Sequence, residues 1–204
     1  MTDLTPLELR DITGVPSNLL AHHLNVLEEA ALISRHASAA DRRRRYVRLE
    51  PSAVTGLLDT PILEASRVLF VCQHNSARSQ LAVALWEQQS PIPAESAGVR
   101  PAERVHPEAV RVARWHGLDI SGARPRSYDD VAQRPDLVIS VCDVAREDDI
   151  QVGAATSLHW SVPDPVAAST SDAFEAAWRQ IAGRVEAALP LVRPPAEREP
   201  NERG

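Results

Sequence analysis

Lysine is absent from this chain of 204 residues, cysteine occurs twice, methionine once, and aromatic residues make up only 4%. Two cysteines cannot build the disulfide framework of a small secreted domain, so each thiol needs its own explanation. No apolar run approaches the roughly eighteen residues that span a bilayer. The opening MTDLTPLELRD also lacks the charged-then-apolar pattern of a secretory signal. A cytoplasmic protein with no membrane partner is the expectation. The net charge of -6 argues against a nucleic-acid binder over the whole surface, because that affinity comes from clustered positive charge. All 22 basic residues are arginine, a usage that points to a GC-rich genome more than to a function.

What is present falls into zones, and the length suits one or two domains. Residues 1–58 read as helix, turn, helix and an Arg-rich stretch, and residues 59–66 (DTPILEAS) read as a linker. Residues 67–192 alternate short β-branched apolar runs with amphipathic helices, the pattern of an α/β unit on a parallel four-stranded sheet. The remainder, residues 193–204, is Pro-rich and charged and is expected to be a disordered tail. Buried strands are expected at Arg67–Cys72, Asp136–Cys142 and Thr156–Trp160. Helices are expected at Ser79–Gln88, His106–His116 and Ser171–Leu189, the last begun by a Ser/Asp cap.

Cys72-Gln73-His74-Asn75-Ser76-Ala77-Arg78-Ser79 joins the end of a strand to the start of a helix. Backbone N–H groups of such a loop converge on one point, and the helix dipole favours negative charge there. A thiolate at Cys72 and a tetrahedral oxyanion would both be stabilised, with Ser79 and Arg78 adding donors and the Arg78 fork gripping two oxygens. The expected oxyanion-binding set is Gln73, His74, Asn75, Ser76, Ala77, Arg78 and Ser79. A buried strand-end residue is the bland alternative for Cys72. The strand before and the helix after favour the chemical one.

With these residues the chain resembles the low-molecular-weight protein tyrosine phosphatases and the arsenate reductases that share their fold. The resemblance implies that Asp164, in HWSVPDPV, is the general acid that protonates the leaving oxygen. Read alone, Asp-Pro is only a turn. Val166-Ala167-Ala168 follow, where phosphotyrosine phosphatases of the family carry ring-flanking aromatics. The loop HNSARSQ is closer to the HNxxRSQ form of the reductases than to the GNxCRSP form of the phosphatases, and His159-Trp160 is also reductase-like. Cys142 stands where the reductases keep a resolving thiol, although a buried structural cysteine is its alternative reading. The third cysteine of the thioredoxin-coupled relay would fall at Asp149, and Ala77 replaces the second loop cysteine of the phosphatases. Arsenate or phosphate is therefore the expected ligand, with no bound metal or cofactor. The expected reductant is an external thiol, mycothiol or thioredoxin-like, unless a protein reductant reaches Cys142 directly.

The N-terminal zone resembles the winged-helix repressors of the arsenic-responsive family. Two helices meet at Thr13-Gly14-Val15-Pro16, with Ser17 expected as the cap of the second. That helix would present Ser17, Asn18, His22 and His23 to operator DNA, and a wing of Arg42, Arg43, Arg44 and Arg45, with Arg48, would grip phosphates. The family begins with further helices that build its dimer, so a shortened domain is expected, and no cysteine precedes Cys72 to bind arsenite. A solvated Arg face on a plain helical pair is the alternative. Three functions remain in play: arsenate reductase, small-anion or phosphotyrosine phosphatase, and a DNA-binding regulator whose second domain senses an oxyanion.

Overall fold

The computed structural model describes residues 2–50, 63–131, 133–148 and 156–195. The expectation at Asp149, and those for residues 51–62 and 196–204, lie outside the described residues. The chain opens with α1 (Pro6–Thr13) and α2 (Ser17–Glu29), followed by an antiparallel hairpin of β1 (Ile33–Ala37) and β2 (Arg45–Leu49). A capping box starts α1: the Thr5 hydroxyl accepts the Glu8 N–H while the Glu8 carboxylate accepts the Thr5 N–H. Gly14 ends it in the left-handed region at φ 69°, which glycine enters without cost. Pro16 occupies the cap position of α2, and Ser17 is its first helical residue with no side-chain capping bond, contrary to expectation. Leu20, Leu24, Ile33 and Val47 form a small core of their own.

A short β3 (Leu63–Glu64) leads into β4 (Val68–Cys72), α3 (Arg78–Gln89), β5 (Ala94–Gly98) and α4 (Pro107–Trp115). Then come β6 (Leu137–Ser140), α5 (Asp143–Glu147), β7 (Thr156–His159), α6 (Pro165–Ala168), α7 (Ser171–Ala188) and β8 (Val192–Arg193). All five residues of β4 are buried, as expected of an apolar run covered on both faces of a parallel sheet. The four-stranded sheet has the order β5-β4-β6-β7, and every pairing in it is parallel. Phe70 anchors the core, its ring centroid 5.8 Å from that of Trp86 and 5.7 Å from that of Trp160.

From β4 the chain crosses to β5 on one side and then returns past β4 to β6 on the other. Ligands of open α/β sheets sit at such a reversal, at the carboxyl ends of the strands. Cys72 ends β4, and Cys142 follows β6. Two boundaries differ from the sequence reading: Leu63–Glu64, expected in a linker, pairs in parallel with Val192–Arg193, whose second residue was expected in a tail. The cap of α7 is Thr170, whose hydroxyl accepts the Ala173 N–H, not the Ser/Asp pair that follows it.

Candidate active site

The loop from Cys72 to Arg78 is shaped by what holds its carbonyls. The carbonyls of Cys72, Gln73, His74 and Ser76 accept the N–H groups of Val99, Arg100, Ala102 and His106 at 2.8 to 3.2 Å. The Asn75 carbonyl accepts Gln80 Nε2 at 3.1 Å. Because carbonyl and N–H of one planar peptide point in opposite directions, each tethered carbonyl turns the following N–H toward the inside of the loop. The inner donors thus belong to Gln73, His74, Asn75, Ser76 and Ala77. Asn75 makes the sharpest bend at φ +48°, a left-handed conformation that asparagine tolerates better than most residues. Its side chain is fixed at both ends: Oδ1 accepts from Arg126 N at 3.0 Å and Nδ2 donates to Ser79 Oγ at 2.8 Å.

The expected donors to the Cys72 sulfur are in place. The Asn75 N–H donates to Cys72 Sγ at 3.2 Å, and Ser79 Oγ lies 3.0 Å from the same sulfur. These are hydrogen bonds that a thiolate accepts strongly. The backbone of Gln73 also bears on Cys142, favouring its thiolate.

Arg78 is the first residue of α3, with a side chain only 6% exposed. Its Nη1 donates to the Val162 carbonyl at 3.0 Å and its Nη2 lies 3.3 Å from Asp164 Oδ2. The structure thus unites Cys72, Arg78 and Asp164, residues 92 positions apart from first to last in the sequence numbering. Asp164 caps α6, Oδ1 accepting the Val166 N–H at 3.1 Å, so the Asp-Pro dipeptide is a helix start that aims a carboxylate at the anion loop.

Cys142 is 1% exposed and follows the strand beside β4, where the Val141 N–H donates to Val71 O at 2.7 Å. Burial pushes its thiol up to about 12; Arg78 opposes that rise and the Cys72 sulfur reinforces it. Cys142 Sγ also accepts the Ala145 N–H at 3.3 Å and so caps α5. Beside the loop, an open groove of about 540 Å³ is lined by His74, Ser76, Ala102, Arg104, His106 and Val166. Phenylalanine, tyrosine and tryptophan do not line it.

Sequence reasoning missed Gly98, Gln80, Arg126 and Ser161. Gly98 had a readable signal, a glycine ending an Ala/Ser stretch, since a Cβ there would stand 2.9 Å from the Asn75 nitrogen.

In the N-terminal segment, Ser17, Asn18, His22 and His23 are exposed on α2, and Arg42 to Arg45 are exposed before and at β2. Arg43 and Arg44 make surface ion pairs, and the wing reading needs correction at Arg48. Arg43 closes on its own neighbour Asp41 at 3.0 Å, and Arg44 lies 3.9 Å from Glu147. Arg48 turns inward, donating to the Ser161 carbonyl at 2.6 Å. The hairpin tip is docked as well, Ser38 Oγ donating to Glu147 at 2.6 Å and Ala39 N to Asp143 Oδ2 at 2.6 Å. Among the described residues no helix is long and apolar enough to cross a membrane, and no group of three or more His, Cys, Asp or Glu side chains could hold a metal ion.

Residues 67–193 match the family model described as low molecular weight phosphotyrosine protein phosphatase, a span that contains every residue of the loop and both cysteines. An arsenate reductase of Bacillus subtilis (strain 168) is 31% identical over 115 residues, covering 54% of this chain and 81% of that protein. The crystal structure of an arsenate reductase from Archaeoglobus fulgidus is 31% identical with a TM-score of 0.53, over 60% of this chain and 98% of that one. A low-molecular-weight protein tyrosine phosphatase from T. tengcongensis is 26% identical with a TM-score of 0.52, over 59% of this chain and 95% of that one. The family match begins at Arg67, after the helical pair and hairpin. With Cys72, the loop that follows it and Asp164 gathered on the parallel sheet of that fold, the chain belongs to the low-molecular-weight phosphotyrosine protein phosphatase family of enzymes.

Proposed function

We propose that this protein is a thiol-dependent arsenate reductase. The observation that carries the reading is Cys142, a second buried thiol just past the end of β6, the strand paired with the one that Cys72 ends. Support also comes from the groove beside the loop, where Val166 stands in place of a ring that would flank phosphotyrosine.

In the proposed cycle arsenate sits in the loop against the inward N–H groups and the Arg78 fork. Cys72 thiolate attacks arsenic, an As–S bond forms, and an arsenic–oxygen bond breaks with Asp164 supplying the proton that lets water leave. A second thiol, Cys142 or an external one of the mycothiol or thioredoxin type, then attacks the Cys72 sulfur as its thiolate. The new S–S bond forms, and the As–S electron pair passes to arsenic. Arsenic goes from As(V) to As(III), two thiols become one disulfide, and arsenite leaves.

Phosphatase action is the second reading, favoured by the same thiol: a sulfur pushed up to about 12 is protonated at neutral pH, whereas water can resolve a Cys72 phosphoenzyme without it. The deciding experiment incubates the purified protein with arsenate and each thiol system while arsenite release is followed. Arsenite formation that depends on Cys72 supports the reductase. No arsenite with any thiol, alongside turnover of an aryl phosphate, would replace it by the phosphatase.

A further inference from the structure

The N-terminal segment reaches the catalytic loop through one residue. Ser161 lies one position before Val162, whose carbonyl holds Arg78, and three before Asp164. Both backbone groups of Ser161 are engaged. Its N–H donates to Asp3 Oδ2 at 2.9 Å and its carbonyl accepts Arg48 Nη2 at 2.6 Å. Both partners come from the segment that precedes the family match.

The bonds extend along the strand end. Asp3 N donates to the His159 carbonyl at 2.7 Å, and the His159 N–H donates to Thr2 Oγ1 at 2.8 Å. Asp3 is 1% exposed and is itself gripped by both oxygens, at 2.8 and 2.6 Å from Arg184 Nη2. A buried carboxylate with a charged partner and several hydrogen bonds has one geometry, so it can hold a backbone in place as a flexible surface pair cannot.

We propose that Asp3 and Arg48 are positioning residues for catalysis, acting through Ser161 to fix the Val162 carbonyl that orients Arg78 and the start of the loop that carries Asp164. The N-terminal segment is then part of the catalytic unit and not an appended module. The proposal rests on the reading of Arg78 as anion binder and Asp164 as acid. With both backbone groups of Ser161 pinned, the peptide leading to Val162 has little freedom, and the Arg78 fork keeps the angle at which it meets an oxyanion. Loss of the clamp should loosen anion binding and misalign the acid while leaving Cys72 in its loop, which is tethered from the other side by Val99, Arg100, Ala102 and His106.

The test uses the full chain and three variants. Arg48→Met removes the donor to Ser161, Arg48→Lys restores a cation, and Asp3→Asn removes the charge. Asp3→Asn leaves Arg184 buried without its counter-charge and can fail to fold, so Arg48, with a side chain 20% exposed, carries the test. Each variant that melts cooperatively is titrated with inorganic phosphate by calorimetry, and kcat and KM are followed against pH. Arg48→Met is expected to bind phosphate on the order of tenfold more weakly, the size of one charge-assisted hydrogen bond, with kcat lowered and its pH profile shifted. Arg48→Lys should recover most of the loss. A folded Arg48→Met that binds phosphate and turns over as the parent does would overturn the proposal. So would a defect that tracks melting temperature alone and is not recovered by lysine. If the parent binds phosphate but turns over neither arsenate nor an aryl phosphate, the functional reading fails and the phosphate affinities alone decide the positioning. A parent that does not bind phosphate sinks both.

Discussion

Gly98 faces Asn75 so closely that a methyl group added to it would stand 2.9 Å from the Asn75 backbone nitrogen and 3.0 Å from its Cβ. That nitrogen is the one that donates to Cys72 Sγ. Gly98→Ala must therefore push the anion loop off its geometry, because backbone atoms cannot step aside as a flexible side-chain end does. The expected outcome is a fall in kcat/KM on the order of a hundredfold with secondary structure retained, since displacement of about 1 Å in a site costs that much. Steady-state kinetics beside circular dichroism would check it.

Ser79 Oγ is shared between Cys72 Sγ at 3.0 Å and Asn75 Nδ2 at 2.8 Å, which leaves its proton free to point at the sulfur. Ser79→Ala removes that donor and takes away the Ser79 partner of Asn75 Nδ2. A hydrogen bond to a charged group is worth about 1.5–3 kcal/mol, so the rate of Cys72 alkylation by iodoacetamide and the turnover number should both change by roughly tenfold or more. Unchanged alkylation in Ser79→Ala would remove Ser79 from the account of the nucleophile.

Cys142 gives the second step a pH signature. With its thiol pushed up to about 12 by burial, the reactive thiolate is scarce at neutral pH, and its fraction rises about tenfold per pH unit below that value. If Cys142 resolves the adduct, arsenite release without added thiol should accelerate steadily from pH 7 to the highest pH the fold survives. If an external thiol resolves it, Cys142→Ser should keep full turnover and the rate should follow that thiol's concentration and ionisation. Rapid-quench measurement of arsenite over pH separates the two.

Acid should loosen the N-terminal segment. Burial pushes Asp3, Glu8 and Asp143 upward, but their partners outweigh it and each carboxylate is held below its ordinary value. Those partners are Arg184, Arg48 and the Ser161 N–H for Asp3, Thr5 and Arg146 for Glu8, and His159, Ser161 and the Ala39 N–H for Asp143. Folding thus favours their ionised forms. The stabilisation is complete above the ordinary carboxylate values of 3.8 and 4.5 and is lost as pH falls through the lowered ones. Melting temperature should stay level from pH 7 to about 5 and fall steeply below. The drop should shrink in Arg146→Gln, which no longer holds Glu8 low.

Much of the site was legible because its parts are contiguous or carry distinctive chemistry. Cys72 to Ser79 is one stretch between an apolar strand and a helix, whereas Asp164-Pro165, read alone, is a turn that only the family resemblance places beside it. β5 was not recognised, since AESAG lacks the β-branched residues that mark strands, and its place in the sheet comes from pairing with β4. Arg48 was misread for a related reason. In the run RRRRYVRL alternation cannot tell a phosphate-gripping arginine from one that turns inward, and only the approach of Asp3 and Ser161, 113 positions from Arg48, decides it.

The most direct measurement of the central claim is a single turnover: reduced protein is mixed with arsenate and no added thiol, arsenite is quantified, and the cysteines are mapped by mass spectrometry. Arsenite in amounts matching the protein, with Cys72 joined to Cys142 and both products lost in Cys72→Ser, is the result expected if the two sulfurs perform the reduction. Two free thiols and no arsenite, even after a small thiol is supplied, would contradict it.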